Sequence, residues 1–185
     1  SLLFSPLPTI NGEQRRNLGR KFAAWVQKKY GSLDAAFKAW DNDRLPADQP
    51  AAGILDFRET WEMTQNPTGG KAARLNDQVQ FWAETMHSFN TMITQFLRSE
   101  LGCKQLINAS NWITADPVLL NDAERYTDTA CDVMAVNRYH AGEHKVKNNA
   151  WRVDPGDTFT NLSAVIAPRT LAMNNPDQFL KQAAN

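Results

Sequence analysis

The sequence predicts an α/β fold, rich in helices and with about two parallel strands. Two runs carry the strand assignment. Lys104-Gln105-Leu106-Ile107-Asn108 is a short apolar stretch that opens into Asn108-Ala109-Ser110-Asn111-Trp112, and Asp132-Val133-Met134-Ala135-Val136 opens in the same way into Asn137-Arg138-Tyr139-His140. Separated by one helix, two such strands make a βαβ unit. The third observation is the number of amphipathic segments around them, five or more. In parallel α/β folds ligands bind at the carboxyl ends of strands, and both polar clusters lie there.

In chain order, Asn11-Gly12-Glu13-Gln14 opens a helix as a capping box. Leu18, Phe22, Trp25 and Val26 form its apolar face, and Tyr30-Gly31 closes it. Ser32 caps a second, shorter helix carrying Leu33, Phe37 and Trp40. Residues 41–53, with two prolines, form a loop. Ile54, Phe57 and Trp61 fit a third helix, ended by Asn66-Pro67-Thr68-Gly69-Gly70. The longest element follows, with Leu75, Val79, Trp82, Met86, Phe89, Ile93, Phe96 or Leu97, and Leu101 recurring at spacings of three and four. At about 1.5 Å per residue it spans roughly 40 Å, with Gly102 as the residue past its end. After the first strand, Asp116-Pro117 starts a helix through Val118, Leu119 and Leu120 to Tyr126. Beyond His140 comes a long loop around Trp151, then a helix over 162–166 stopped by Pro168, and a last helix from Asn175-Pro176.

Two parallel strands leave bare edges and make no stable sheet. The expectation is therefore a middle piece of a larger α/β protein, which self-associates through exposed strand edges when handled alone. The apolar opening Ser1-Leu2-Leu3-Phe4-Ser5-Pro6-Leu7-Pro8, with neither an initiator Met nor the basic flank of a signal peptide, fits processing or a longer chain.

At 185 residues, 42% hydrophobic and 22% charged, the chain suits one globular domain. Zero net charge and no basic stripe argue against nucleic acid as a partner, and no apolar run approaches a membrane span. Cys103 and Cys131 read as a pair of buried thiols rather than a disulfide, and two cysteines do not fix a compartment. Asn108-Ala109-Ser110 and Asn161-Leu162-Ser163 match the glycosylation sequon, a match common by chance.

Lys21-Phe22-Ala23-Ala24-Trp25-Val26-Gln27-Lys28-Lys29-Tyr30-Gly31-Ser32-Leu33-Asp34-Ala35-Ala36-Phe37-Lys38-Ala39-Trp40 resembles a recurring segment of family 42 glycoside hydrolases, the β-galactosidase-like members of clan A. There a Trp-Leu-x-x-Lys-Tyr-Gly-x-Leu-x-x-Leu-Asn-x-Ala-Trp pattern lies in helices just after the fourth barrel strand. The order of elements from residue 10 to residue 140 is similar too, and agarase-like clan A families fit nearly as well. The resemblance implies a partial (β/α)8 TIM barrel, with residues 1–70 a helical insertion after a barrel strand and 71–185 a βαβ barrel segment. It implies retaining hydrolysis of β-galactoside-type or related glycans by two Glu about 5–5.5 Å apart, on the fourth and seventh strands. This chain would fall between those strands, so it would carry neither catalytic Glu, no metal and no cofactor, and would be inactive alone.

What it would supply is sugar contacts. Asn108, Asn111 and Asn137 are candidates because Asn at a strand end is costly in a core and useful in a pocket. Tyr139 and His140 can hydrogen-bond a hydroxyl, and Trp112 and Trp151 can stack on a pyranose face; each also has an ordinary structural role open to it. Glu143 is the sole acid in its loop before Asp154 and has no partner there for acid/base work. His140-Ala141-Gly142-Glu143-His144 spells the H-x-x-E-H zinc motif, which needs a helix that this Gly-containing stretch does not predict. His87 reads as structural. The alternatives to the hydrolase segment are a helical carbohydrate-binding or interaction module and, more weakly, a zinc hydrolase using His140 and His144.

Overall fold

The computed structural model describes residues 10–110, 120–135, 143–145 and 158–160. It divides into two compact units, Ser1–Ala135 and Val136–Asn185. The first holds α1 (Gly12–Tyr30), α2 (Leu33–Ala39), 3₁₀ turns at Pro50–Ala52 and Thr60–Gln65, α3 (Gly69–Ser99) and α4 (Asn121–Asp128).

The first two helices form as local chemistry dictates. Asn11 Oδ1 accepts the Gln14 N–H at 2.9 Å while Gln14 Oε1 accepts the Asn11 N–H at 3.0 Å, a reciprocal box that satisfies two otherwise orphaned donors. Gly31, at φ 83°, lets the chain reverse and donates its N–H to the Gln27 carbonyl. Ser32 Oγ then accepts the Ala35 N–H at 3.1 Å to open α2.

The core is aromatic. Phe22, Phe37, Trp40, Phe57 and Phe81 are buried together with Val26, Ala36 and Leu55. Phe22 stands 5.1 Å from Phe57 and 5.2 Å from Phe81, ring centre to ring centre, and Phe57 stacks at 4.9 Å on Trp82. A smaller cluster of Met63, Leu75, Val79 and Leu120 joins the N-terminal half of α3 to the start of α4. Two glycines make room for this packing. A Cβ on Gly19 would sit 2.6 Å from the Leu55 carbonyl oxygen, and one on Gly70 would overlap the Trp40 carbonyl.

Three expectations are corrected. The helix over Ile54, Phe57 and Trp61 is absent: Ile54 forms an isolated bridge with Gln49, residues 55–59 are irregular and a 3₁₀ turn follows. Their backbone groups are bonded by distant partners instead. The Asp56 N–H goes to Asp48 Oδ1 at 2.8 Å, the Leu55 N–H to the Gly19 carbonyl at 3.3 Å, and both Arg58 backbone groups to the Gln78 amide.

The α/β class is also overturned. Residues 104–108 and 132–135 form no strands, and among the described residues there is no parallel pairing, no βαβ unit and no barrel segment. The two runs do meet, since the Ile107 carbonyl accepts the N–H groups of Asp132 at 3.1 Å and Val133 at 3.3 Å. A ladder goes no further because side chains take its groups. The Asp132 carboxylate holds the Ile107 N–H at 2.8 Å, and Arg98 holds the Cys103 and Gln105 carbonyls at 2.6 and 2.7 Å. Leu106, Val133 and Met134 stay exposed, so the burial that would fix strands there is missing. The strand edges expected to drive self-association are accordingly not present at these runs.

The helix expected from Pro117 through Leu120 to Tyr126 starts later: α4 begins at Asn121, with Leu120 in the turn before it, and residues 111–119 lie outside the described residues. In the second unit, where a loop is expected, β1 (Glu143–Lys145) pairs antiparallel with β2 (Thr158–Thr160), Glu143 opposite Thr160 and His144 opposite Phe159. The helices expected over 162–166 and from Asn175 lie outside the described residues.

The close approach at Gly70 is testable by thermal unfolding. Gly70→Ala should cost at least about 1–3 kcal/mol, because backbone rather than a flexible side chain must yield. Gly12→Ala, with only the Arg16 side chain at 3.7 Å, should stay within about 0.5 kcal/mol.

Candidate functional site

The polar chemistry of the first unit gathers on one ridge of α3. Arg74, Asp77 and Gln78 lie at i, i+3 and i+4, hence on one face, and all three are buried.

Asp77 is the meeting point of three side chains from α1 and the end of α2. Its carboxylate accepts Lys29 Nζ at 2.7 Å, Tyr30 Oη at 2.7 Å and Trp40 Nε1 at 2.8 Å. Lys29 also reaches Gln80 Oε1 at 2.7 Å and lies over the Trp25 ring, 5.1 Å from its centre. Burial, and then the hydrogen bond and charge of Asp77, push the Tyr30 phenol up to about 12, so it stays a donor.

Arg74, with no exposed side-chain surface, clamps Asp48 bidentately at 2.7 and 2.7 Å. The same guanidinium donates to the Asp43 and Asp56 carbonyls at 2.7 and 2.8 Å and lies over Trp40 at 5.1 Å; its Nε is buried without a partner. Burial alone would raise the Asp48 carboxyl. The Arg74 fork, the Leu45 and Asp56 N–H groups and the Arg74 charge outweigh it and hold the group below its ordinary value. Asp43 and Glu62 are bonded in turn by Arg58, and Glu62 also by Lys71.

What this arrangement can do chemically is hold. Each of these carboxylates is engaged by a cation or by several donors, and a general base needs a free lone pair within reach of substrate. Among the described residues no group of three His, Cys, Asp or Glu side chains is placed to hold a metal. No helix among them is long and apolar enough to cross a membrane.

Of the sugar-contact candidates, Asn108 is exposed in an irregular segment. Asn111, Trp112, Asn137, Tyr139, His140 and Trp151 lie outside the described residues, so no grouping of the seven is observed. Glu143 and His144 fall on β1, an extended backbone rather than the helix a zinc motif requires, and His140 lies outside the described residues. His87 stacks on Tyr126 at 4.5 Å, joining α3 to α4. Cys103 and Cys131 are free and half-buried, Cys131 beside the Thr94 hydroxyl at 3.4 Å.

The ridge was missed in the sequence, though a signal exists. Arg74, Asp77 and Gln78 interleave with Leu75, Val79 and Phe81, too many apolar neighbours for a solvated polar face. Compared with family models, with curated proteins and with solved structures, the chain matches none.

Two outcomes follow from the ridge. Asp77→Ala should cost about 1–3 kcal/mol in denaturant unfolding, since it leaves the Trp40 indole N–H and the Tyr30 hydroxyl without their acceptor, while the exposed Lys29 ammonium turns to water. Because Asp48 is held lower in the folded chain than the ordinary carboxylate value of 3.8, its contribution is present above that value and disappears as pH falls through the folded one. Melting temperature should therefore drop on acidification below about 4, and Asp48→Asn should flatten that limb. For Tyr30 the sign reverses: its contribution is intact below 10.0 and fades as pH rises toward about 12.

Proposed function

We propose that this chain is a helical portion of a retaining glycoside hydrolase acting on β-galactoside-type or related glycans, and that its described residues support structure rather than cleave bonds. The observation that carries this reading is the fate of the segment resembling the family 42 enzymes. Lys29, Tyr30 and Trp40, three of the residues on which that resemblance rests, are the three that converge on Asp77. Gly31 and Leu33, also part of it, make the reversal that brings α2 back against α1. That members of the resembling segment cooperate in one joint is what supports carrying the family's chemistry over as a proposal.

On this reading the sugar contacts come from Asn108, Asn111, Trp112, Asn137, Tyr139, His140 and Trp151, with the cleaving carboxylates supplied by other parts of the parent protein. A second reading is favoured by one observation: the first unit has its own aromatic core and satisfies its irregular backbone internally. That self-sufficiency suits a helical carbohydrate-binding or interaction module.

A chromogenic β-galactoside assay and a galactoside titration followed by Trp fluorescence separate the two. The hydrolase-portion reading expects no turnover and no saturable binding by the chain alone. Sustained turnover abolished by Glu143→Gln would overturn it. Saturation at a defined stoichiometry, lost in Trp112→Ala or Trp151→Ala, would instead establish the module.

A further inference from the structure

The apolar stripe of α3 does not end where its own core ends. Leu75, Val79, Trp82, Met86, Phe89, Ile93 and Phe96 follow one another at spacings of 4, 3, 4, 3, 4 and 3, a heptad seam along one side of the helix. Leu75 and Val79 are buried in the first unit, and Trp82 is half-buried against its aromatic core. From Met86 onward the same stripe, joined by Met92, is open, with side chains between 37% and 56% exposed. The adjacent arc of the helix is covered by α4 and the turn after it, through His87 on Tyr126, Asn90 Nδ2 on the Thr127 carbonyl at 2.7 Å, and Thr94 beside Cys131.

We propose that this open half of α3 is a self-association surface, on which a second copy of the chain docks its own α3 antiparallel about a two-fold axis that crosses the seam between Phe89 and Ile93, at the level of residue 91. Three features select a second copy as the occupant. The first is charge. From Thr85 to Leu97 there is no Asp, Glu, Lys or Arg, so a face brought against itself meets no like charge. The second is register. Antiparallel pairing about residue 91 sets Met86 opposite Phe96 and Phe89 opposite Ile93 in both copies, closing the seam with large residues throughout. The first charge on that side, Glu100, then falls opposite Trp82 of the second copy rather than opposite another carboxylate. The third is area. Five half-open Met, Phe and Ile side chains expose on the order of 500 Å² of apolar surface. A standard interface takes about 800 Å² from each partner, of which about 60% is apolar, or roughly 480 Å². The stripe matches that requirement without enlargement. This inference is independent of the hydrolase reading and uses none of its sugar-contact residues.

Sedimentation equilibrium of the 185-residue chain tests it. A reversible monomer–dimer equilibrium is expected, and Phe89→Glu should weaken it at least about tenfold, because it buries unpaired charge at the seam, while leaving the circular dichroism of the helices unchanged. Should that variant fold poorly, Ile93→Lys serves the same purpose. Oxidation of Met86 and Met92 by dilute peroxide gives a readout without substitution: both should be protected in concentrated wild-type protein and reactive in dilute. A wild-type chain that stays monomeric, a dimer that both variants leave intact, or open-ended association would each overturn the proposal. So would equal Met reactivity at all concentrations.

Discussion

The first unit depends on a buried carboxylate, Asp77, engaged at once by an ammonium, a phenol and an indole. Each donor comes from the α1–α2 hairpin, so the acid fixes both the distance and the rotation of that hairpin on α3. Apolar contacts alone would be less exacting. A stack of Phe22, Phe57, Phe81 and Trp82 can slide by a fraction of a ring with little loss, because dispersion is non-directional. Three hydrogen bonds between 2.7 and 2.8 Å to one carboxylate cannot. The aromatic core supplies the bulk of the driving force, and Asp77 selects one packing from the several it permits.

Arg74 and Gln78 extend the same logic to a different problem. The chain between α2 and α3 is long and largely irregular, and irregular backbone inside a fold leaves polar groups unpaired. These two side chains answer it from a rigid helix: Arg74 takes the Asp43 and Asp56 carbonyls, and Gln78 takes both backbone groups of Arg58. Asp48 then neutralises Arg74 and in turn accepts the Leu45 and Asp56 N–H groups. The segment is folded onto α3 by side chains much as a strand is folded onto a sheet by backbone. That engagement leaves Asp48, Arg74 and Gln78 occupied by the fold itself.

Legibility in the sequence tracked the range of the forces involved. α1 and α2 were readable because their caps act over three residues, Asn11 with Gln14 and Ser32 with Ala35. α3 was readable from period alone, though its start at Gly69 was not. The mistaken helix over Ile54, Phe57 and Trp61 had correct spacing. What defeated it was competition for backbone groups by Asp48 and Gln78, residues up to 20 positions away. The strands at 104–108 and, over the described residues, 132–135 failed for a related reason. Short apolar runs carry no information about whether a neighbour will bury them, and Arg98 and Asp132 occupy the groups a ladder would use. Of the site, only the hairpin residues were singled out beforehand, Tyr30 and Trp40 from the helix pattern and Lys29 through the resemblance alone. Their common target on α3 was not, since a single Asp in a long helix looks solvated until its partners are known.

α3 itself changes character along its length, and the change has a physical reading. Up to Glu84 its charged residues face partners: Arg74, Asp77 and Glu84 are all bonded across to other elements. Beyond it the helix runs thirteen residues, Thr85 to Leu97, without a formal charge. A helix destined for water carries a charged face, and one without it is built to be covered. α4 covers one side of this stretch, and the apolar seam occupies another that nothing described in the first unit covers. A helix of 31 residues, about 46 Å long, outruns the core that holds its first half. Its length makes sense as a shared element: the first half serves the fold of its own unit, and the neutral second half is shaped for a surface contributed from outside it.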